Sequence, residues 1–191
     1  MNHFGIVQAE AMGSHGVFTY KTAHAMGVLS PELARWVKSG RIVKVGHGVY
    51  RIATYPLQGS VSDMAVLLAE VGEGAYLYGE TVLGFLELCP TRSYVAFIAT
   101  PNRCRRTLSE GIRVIRGQKS YQPMYEKGIP CQRVDDALLS SVGIVEPSRL
   151  LEATEAAVDR GYLTESEAIK VRKRIANGVC PPSLEGGPDR R

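Results

Sequence analysis

Residues 41–52 read RIVKVGHGVYRI. Two runs rich in β-branched side chains flank the glycine-containing turn at 46–48. This pattern is typical of a β-hairpin, because β-branched residues favour strands and glycine permits the backbone of a tight turn. Lys44 and Arg51 lie on the two strands and His47 lies in the turn, so the hairpin should be basic.

The residues before the hairpin predict two short helices and a tight turn. Apolar residues at helical spacing indicate a helix near residues 3–12. Thr19 is a good N-cap for a second helix over residues 20–26. The following Gly27-Val28-Leu29 has the length and the glycine of the turn in a helix-turn-helix, so a third helix should follow at once.

That third helix is predicted over residues 31–39. Ser30 supplies a capping residue, and Pro31 stands at the first helical position, where its missing N–H costs nothing. A rotation of ~100° per residue places Arg35 and Lys38 on one side of this helix. An apolar face on the other side should anchor the helix in the core and consists of Leu33, Trp36 and Val37.

A basic helix followed at once by a basic hairpin is the arrangement of a recognition helix and its wing. Residues 1–60 carry six basic side chains against two acidic ones, so the whole net charge of +4 lies in this segment. Such a charge asymmetry points to a polyanionic partner, although a merely solvated helix face is the alternative for the third helix. We therefore predict a winged helix-turn-helix that binds double-stranded DNA. The contacts that follow from this reasoning are Arg35, Lys38, Lys44, His47 and Arg51.

The remainder of the chain predicts a mixed α/β domain. Residues 55–59 are typical of a linker. Strands are expected at 94–100, 112–116 and 129–132, and helices at 61–71, 79–88, 133–142, 147–160 and 166–176. The fold class is therefore α+β, an N-terminal winged helix-turn-helix followed by a mixed α/β C-terminal domain. The expected boundaries are 1–56 for the DNA-binding domain, 57–180 for the α/β domain and 181–191 for a flexible tail.

A second cluster of positive charge lies in residues 103–119, which carry a net charge of +5. It is either a surface for phosphates of DNA, RNA or a nucleotide, or an exposed hairpin whose arginines pair with acids elsewhere. Both interpretations stay open. The residues of this possible second basic surface are Arg103, Arg105, Arg106, Arg113, Arg116 and Lys119.

Catalysis is not expected. All four histidines lie in the first 47 residues, so the α/β domain has none to act as a base. Asp135 and Asp136 are adjacent and would diverge on a helix, which is poor geometry for a metal site. We expect no catalytic residue, metal or cofactor. No apolar stretch is long enough to cross a bilayer, and we expect a cytoplasmic protein without membrane contact.

The order of several short motifs resembles the AbiEi-family antitoxins of type IV toxin–antitoxin systems. These motifs are GVFT (16–19), GV (27–28), Leu33, GRI (40–42), GVYR (48–51), YLYGETVL (76–83), FIATP (97–101) and GIP (128–130). The resemblance implies that the winged helix represses its own operon by binding inverted repeats in the promoter. It also implies that the C-terminal domain counters a nucleotidyltransferase toxin, with or without direct contact.

The resemblance adds Lys21 and Arg41 to the DNA contacts, and Ser30 joins them at the start of the third helix. The full set of candidates is Lys21, Ser30, Arg35, Lys38, Arg41, Lys44, His47 and Arg51. Two other functions compete with the antitoxin. One is a plain repressor whose second domain dimerises or senses a ligand. The other is a nucleic-acid-processing enzyme that uses the winged helix for targeting and Glu80 for metal-dependent cleavage.

Overall fold

The computed structural model describes residues 2–90 and 94–178. The chain divides into two compact units. The first contains Met1–Glu73 together with Arg105–Glu110, and the second contains Gly74–Cys104 and Gly111–Arg191. The first unit thus runs beyond residue 56, where the sequence suggested a domain boundary. The tail expected at 181–191 lies outside the described residues.

The first unit is a winged helix with one additional helix. Its first three helices and its hairpin strands lie within a residue or two of their predicted positions, whereas β1 was not predicted. Thr19 caps α2 as expected, since its hydroxyl oxygen accepts a hydrogen bond from the Thr22 N–H (3.1 Å). The elements are α1 (His3–Met12), β1 (Val17–Thr19), α2 (Tyr20–Ala25), α3 (Ser30–Lys38), β2 (Ile42–Gly46), β3 (Val49–Ile52) and α4 (Ser60–Val71).

An apolar core holds α1, α2 and α3 against one face of the sheet β1-β3-β2. Trp36 is 6% exposed and meets the Phe4 ring edge to face, with the ring centroids 5.2 Å apart, which confirms that it is a core residue. The prediction that Val37 joins this core is wrong, because its side chain is 39% exposed. Val37 lies ~100° around the helix axis from Trp36, so its side chain projects outside the buried face of α3.

The opposite face of the sheet is covered by α4. Cross-strand partners share a face, and the register Val17↔Arg51 and Thr19↔Val49 therefore places these residues together. Val17 and Val49 are buried without belonging to the core of the first three helices, and α4 contacts all three strands. The sheet is thus packed on both faces.

In the part that the structure describes, the second unit is a five-stranded mixed sheet with four helices. Its strand order is β6-β5-β4-β8-β7, in which β5 and β6 run parallel. The sequence analysis missed the two short strands β4 and β7. The elements are β4 (Tyr76–Leu77), α5 (Glu80–Phe85), β5 (Ala96–Thr100), β6 (Ile112–Arg116), β7 (Met124–Glu126), β8 (Ile129–Cys131), α6 (Val134–Ser140), α7 (Pro147–Asp159) and α8 (Glu165–Ala176).

The parallel pairing of β5 and β6 rules out a hairpin between them. Two parallel neighbours need a connection that brings the chain back to the starting end of the sheet. Residues 101–111 make this connection, and their central part, the strap (Arg105–Glu110), packs with the first unit. The exposed hairpin considered for residues 103–119 is therefore not formed.

Candidate nucleic-acid interface

The basic side of α3 is fully available to a partner. Arg35 and Lys38 are exposed in the last turn of the helix, while Leu33 and Trp36 are buried on its other side. The tight turn before α3 is fixed by Gly27, whose φ of 84° favours glycine, and by the buried Val28. Within the described part of the chain, neither Arg35 nor Lys38 forms a salt bridge.

Ser30 has a different role from the one predicted. The helix begins one residue earlier than expected, so Leu29 is the N-cap and no side chain caps α3. The Ser30 hydroxyl is instead within hydrogen-bond distance of the Tyr20 hydroxyl (3.0 Å). The prediction of a Ser30 cap is therefore wrong, because Ser30 already lies inside the helix and its side chain points to α2.

Tyr20 is a site residue that the sequence analysis missed. It is 39% exposed, its N–H donates to the Gly48 carbonyl oxygen (2.7 Å), and its ring stacks on His24 with centroids 5.9 Å apart. Together with the Ser30 contact, these bonds join α2, the start of α3 and the turn of the hairpin. In the sequence, the one signal for Tyr20 was that an aromatic residue directly follows the N-cap Thr19.

The wing is the hairpin of β2 and β3. His47 and Gly48 form its two-residue turn, and a β-bulge interrupts the register between Lys44 and Gly46. Lys44 is exposed opposite Tyr50 and has no salt bridge among the described residues. His47 is exposed at the tip. The wing therefore presents one lysine and one histidine near its end.

The three further basic candidates are Arg51, Arg41 and Lys21, of which the last two have local partners. Arg51 lies on the sheet face covered by α4 and is half-buried, and its Nε atom has no hydrogen-bond partner among the described residues. The Arg41 guanidinium carbon lies 3.6 Å from the centroid of the Phe4 ring, a cation–π contact with α1. Lys21 Nζ lies 3.9 Å from a carboxylate oxygen of Glu73, and both side chains are largely exposed.

The six residues of the possible second basic surface are all exposed but are divided between the units. Arg105 and Arg106 belong to the first unit, and the other four belong to the second. Arg113 and Arg116 stand three positions apart on β6, and an odd separation puts them on opposite faces of the strand. The structure therefore distributes this charge over several local surfaces.

The polar groups around Tyr121 in the second unit bond to one another, and Tyr121 and Asp136 are half-buried. The Tyr121 hydroxyl donates to Asp136 (3.0 Å) and accepts from the Arg133 N–H (2.8 Å), while the Tyr121 ring stacks on Tyr76 at 5.0 Å. Burial raises the pKa of Tyr76 to about 12 and also raises the pKa of Tyr121. Burial, followed by the neighbouring charge of Asp135, raises the pKa of the Asp136 carboxyl. The closed bonding of this cluster identifies it as a structural network.

Three findings concern metal binding, membrane insertion and cleavage. Within residues 2–90 and 94–178, no group of three or more His, Cys, Asp or Glu side chains is arranged to hold a metal ion. Among the same residues, no helix is both long and apolar enough to cross a membrane. Glu80, the acid that cleavage would require, is 8% exposed in the first turn of α5.

The N-terminal part of the chain matches a known family. Residues 6–53 match the family model described as a transcriptional regulator, AbiEi antitoxin. This range runs from α1 to the end of β3 and contains all eight candidate DNA contacts. No curated protein matches the chain. The resemblance drawn from the sequence motifs is thereby confirmed over residues 6–53, where the chain is similar to the AbiEi antitoxin family of transcriptional regulators.

Proposed function

We propose that the protein represses its own operon by binding inverted repeats in the promoter through the winged helix. The observation that carries this proposal is the exposed basic edge of α3, where Arg35 and Lys38 lack acidic partners in the described structure. An unpaired cation at a helix surface has no ion pair to break when it meets phosphate, and its binding releases counterions condensed on the DNA. The family match over residues 6–53 supports the same role.

The contacts divide into three groups. Arg35 and Lys38 lie on the recognition helix and Lys44 lies on the wing, so these three bind most directly. Lys21 adds a phosphate contact from α2, because its ion pair with Glu73 is long and solvent-exposed, and such pairs contribute little. Ser30, Tyr20 and His47 supply polar contacts to the phosphate backbone of the DNA, which fix the register of the protein on DNA.

We also propose that the protein is an antitoxin that counters a nucleotidyltransferase toxin. The second unit carries this activity. Support comes from the family description of residues 6–53 and from the order of motifs that continues through residues 76–130. In this function the protein works in the cytoplasm and catalyses no reaction itself.

The DNA-binding half is tested by a gel-shift titration on the DNA directly upstream of the gene, over unrelated competitor DNA. The double variant Arg35→Ala/Lys38→Ala should abolish specific binding. A matched control is Lys170→Ala/Lys173→Ala, which removes two exposed cations from α8 in the second unit. Equal losses in both variants, or no specific binding by the folded wild type, would refute the assignment of α3 as the recognition helix.

The antitoxin half is tested by co-expression with the neighbouring nucleotidyltransferase-like protein. Growth should stop with the neighbour alone and recover with the full chain. Recovery should persist with the Arg35→Ala/Lys38→Ala variant expressed from an unrelated promoter, since neutralisation belongs to the second unit. Equal toxicity with and without the chain contradicts the proposal.

A plain repressor is the second candidate. The family match ends at residue 53, so it concerns the DNA-binding segment alone and supports regulation more directly than neutralisation. In this alternative the second unit dimerises or senses a ligand. Specific promoter binding combined with the absence of a toxin gene beside this one favours the plain repressor.

A further inference from the structure

Glu70 is a buried acid outside the set of candidate DNA contacts. It lies in the last turn of α4 and is 2% exposed. One carboxylate oxygen accepts the Ser109 N–H (3.0 Å) and the other accepts the Ser109 hydroxyl (2.8 Å). Burial of a carboxylate costs free energy unless its oxygens accept hydrogen bonds. These two bonds offset that cost for Glu70.

The same carboxylate lies directly against the wing. A Cβ atom added at Gly46 would collide with the Glu70 side chain, and Gly46 is the last residue of β2 before the turn. Glycine at this position lets the two meet at close range. α4 also contacts all three strands of the sheet, so Glu70 belongs to the helix that packs against the hairpin.

Ser109 belongs to the strap, and the strap is fixed to α4 by a second set of bonds. The Arg106 guanidinium donates to the carbonyl oxygens of Ala69 (3.5 Å) and Glu70 (3.4 Å). The last carbonyls of a helix have no partner within the helix, and a cation at this end is favourable. Arg106 therefore completes the C-terminal end of α4 and keeps Ser109 beside Glu70.

We propose that Glu70 and Ser109 are positioning residues for the wing, and that the strap is a working part of the DNA-binding unit. The expected effect on DNA binding rests on the proposed function, whereas the expected effect on the position of the wing does not. Loss of the Ser109 hydroxyl leaves one of the two carboxylate oxygens without a partner, so that oxygen turns toward water and the carboxylate withdraws its support from Gly46. The wing then moves more freely and Lys44 contacts phosphate less often.

The strap is joined by the backbone to the second unit and by hydrogen bonds to Glu70. It is the middle of the connection between β5 and β6, two strands of the second unit. An isolated fragment that stops at residue 73 lacks this support.

The geometry is tested without DNA, by amide hydrogen exchange of the full-length protein. Ser109→Ala should accelerate exchange in residues 42–52 by about tenfold, the size expected for one lost hydrogen bond to a charged group. The matched control is Thr164→Ala, because the Thr164 hydroxyl donates to Glu167 at the same distance of 2.8 Å in the second unit. It should accelerate exchange in α8 and leave the wing unchanged. Wing exchange at the wild-type rate in both Ser109→Ala and Glu70→Gln overturns the proposal.

The consequence for binding is tested by two double-mutant cycles on promoter DNA. Ser109→Ala should weaken binding several-fold, and its effect should shrink when Lys44 is already alanine, because a displaced wing has lost that contact. Combined with Lys38→Ala, its effect should simply add. Equal coupling to both lysines indicates general destabilisation and refutes the positioning role. Failure of the wild type to bind promoter DNA instead refutes the proposed function, while hydrogen exchange still decides the geometry.

Discussion

Arg51 and Lys44 differ in what the structure predicts for the salt dependence of DNA binding. Both are basic residues of the wing hairpin, and the sequence treats them alike. The register puts Arg51 on the sheet face that α4 covers, whereas Lys44 is exposed opposite Tyr50. Removing the Lys44 charge should therefore remove a phosphate contact, and removing the Arg51 charge should not.

The magnitude follows from the number of phosphate contacts. Each contact contributes about −0.9 to the slope of log affinity against log salt concentration on duplex DNA. Arg41 is exposed but rests on the Phe4 ring, so it is not counted. The other exposed cations of the interface are Lys21, Arg35, Lys38 and Lys44, and four contacts give a slope of about −3.6 for each bound copy. Lys44→Ala should reduce its steepness by about 0.9 per copy. Arg51→Met, which keeps an unbranched chain without the charge, should leave the slope unchanged.

The assay is fluorescence anisotropy with labelled promoter DNA over a series of salt concentrations. Circular dichroism confirms that both variants are folded. Equal slopes for Arg51→Met and Lys44→Ala would refute the assignment of Arg51 to the covered face. A wild-type slope close to zero would refute the whole basic surface.

Three other predictions follow from the geometry of the two units. Tyr20→Phe keeps the ring on His24 but removes the hydroxyl bond to Ser30, so promoter affinity should fall by about threefold to tenfold in anisotropy titrations, consistent with one lost hydrogen bond; unchanged affinity contradicts a role for this pair. Trp36→Ala should lower the free energy of unfolding by about 4 kcal/mol in urea titrations, because it empties the centre of the first core; a loss under 1 kcal/mol contradicts that packing. Burial raises the pKa of the Cys131 thiol from its ordinary value of 9.0 to about 12. The folded chain thus keeps a proton that the unfolded chain releases, so stability should fall as pH rises above about 9, and Cys131→Ser should reduce this fall in thermal melts.

Local signals in the sequence were sufficient to predict most of the helices and strands of the first unit. Thr19 is followed by a helix that its side chain caps, and the glycine-containing turn at 46–48 is flanked by β-branched runs, so each element carries its own start and stop. Thr164 and Glu167, which form a capping box at the start of α8, are a local signal of the same kind. These features depend on residues only a few positions apart, which is why reasoning from the sequence found them.

Short strands, and the pairing of strands in a sheet, gave no such local signal in the sequence. β1 has three residues and β4 has two, so neither is long enough to show an alternating pattern. Gln132 illustrates a second limit. It is 4% exposed and joins the Gly79 N–H to the Ser140 hydroxyl, each at 2.9 Å, yet nothing around it in the sequence marks a buried polar residue.

The part of the candidate site that the sequence concealed is the part that depends on distant residues. Basic residues were identified by charge alone, but charge does not reveal that Arg51 lies under α4 or that Arg41 rests on Phe4. Glu70 and Ser109 are 39 positions apart, and the chain between them contributes two strands to another unit. Charge and periodicity can identify a surface that binds DNA, but only the folded chain shows which residues hold that surface in place. The support for the wing therefore lies outside the matched segment 6–53, and a variant in residues 105–110 should alter DNA binding although it touches no candidate contact.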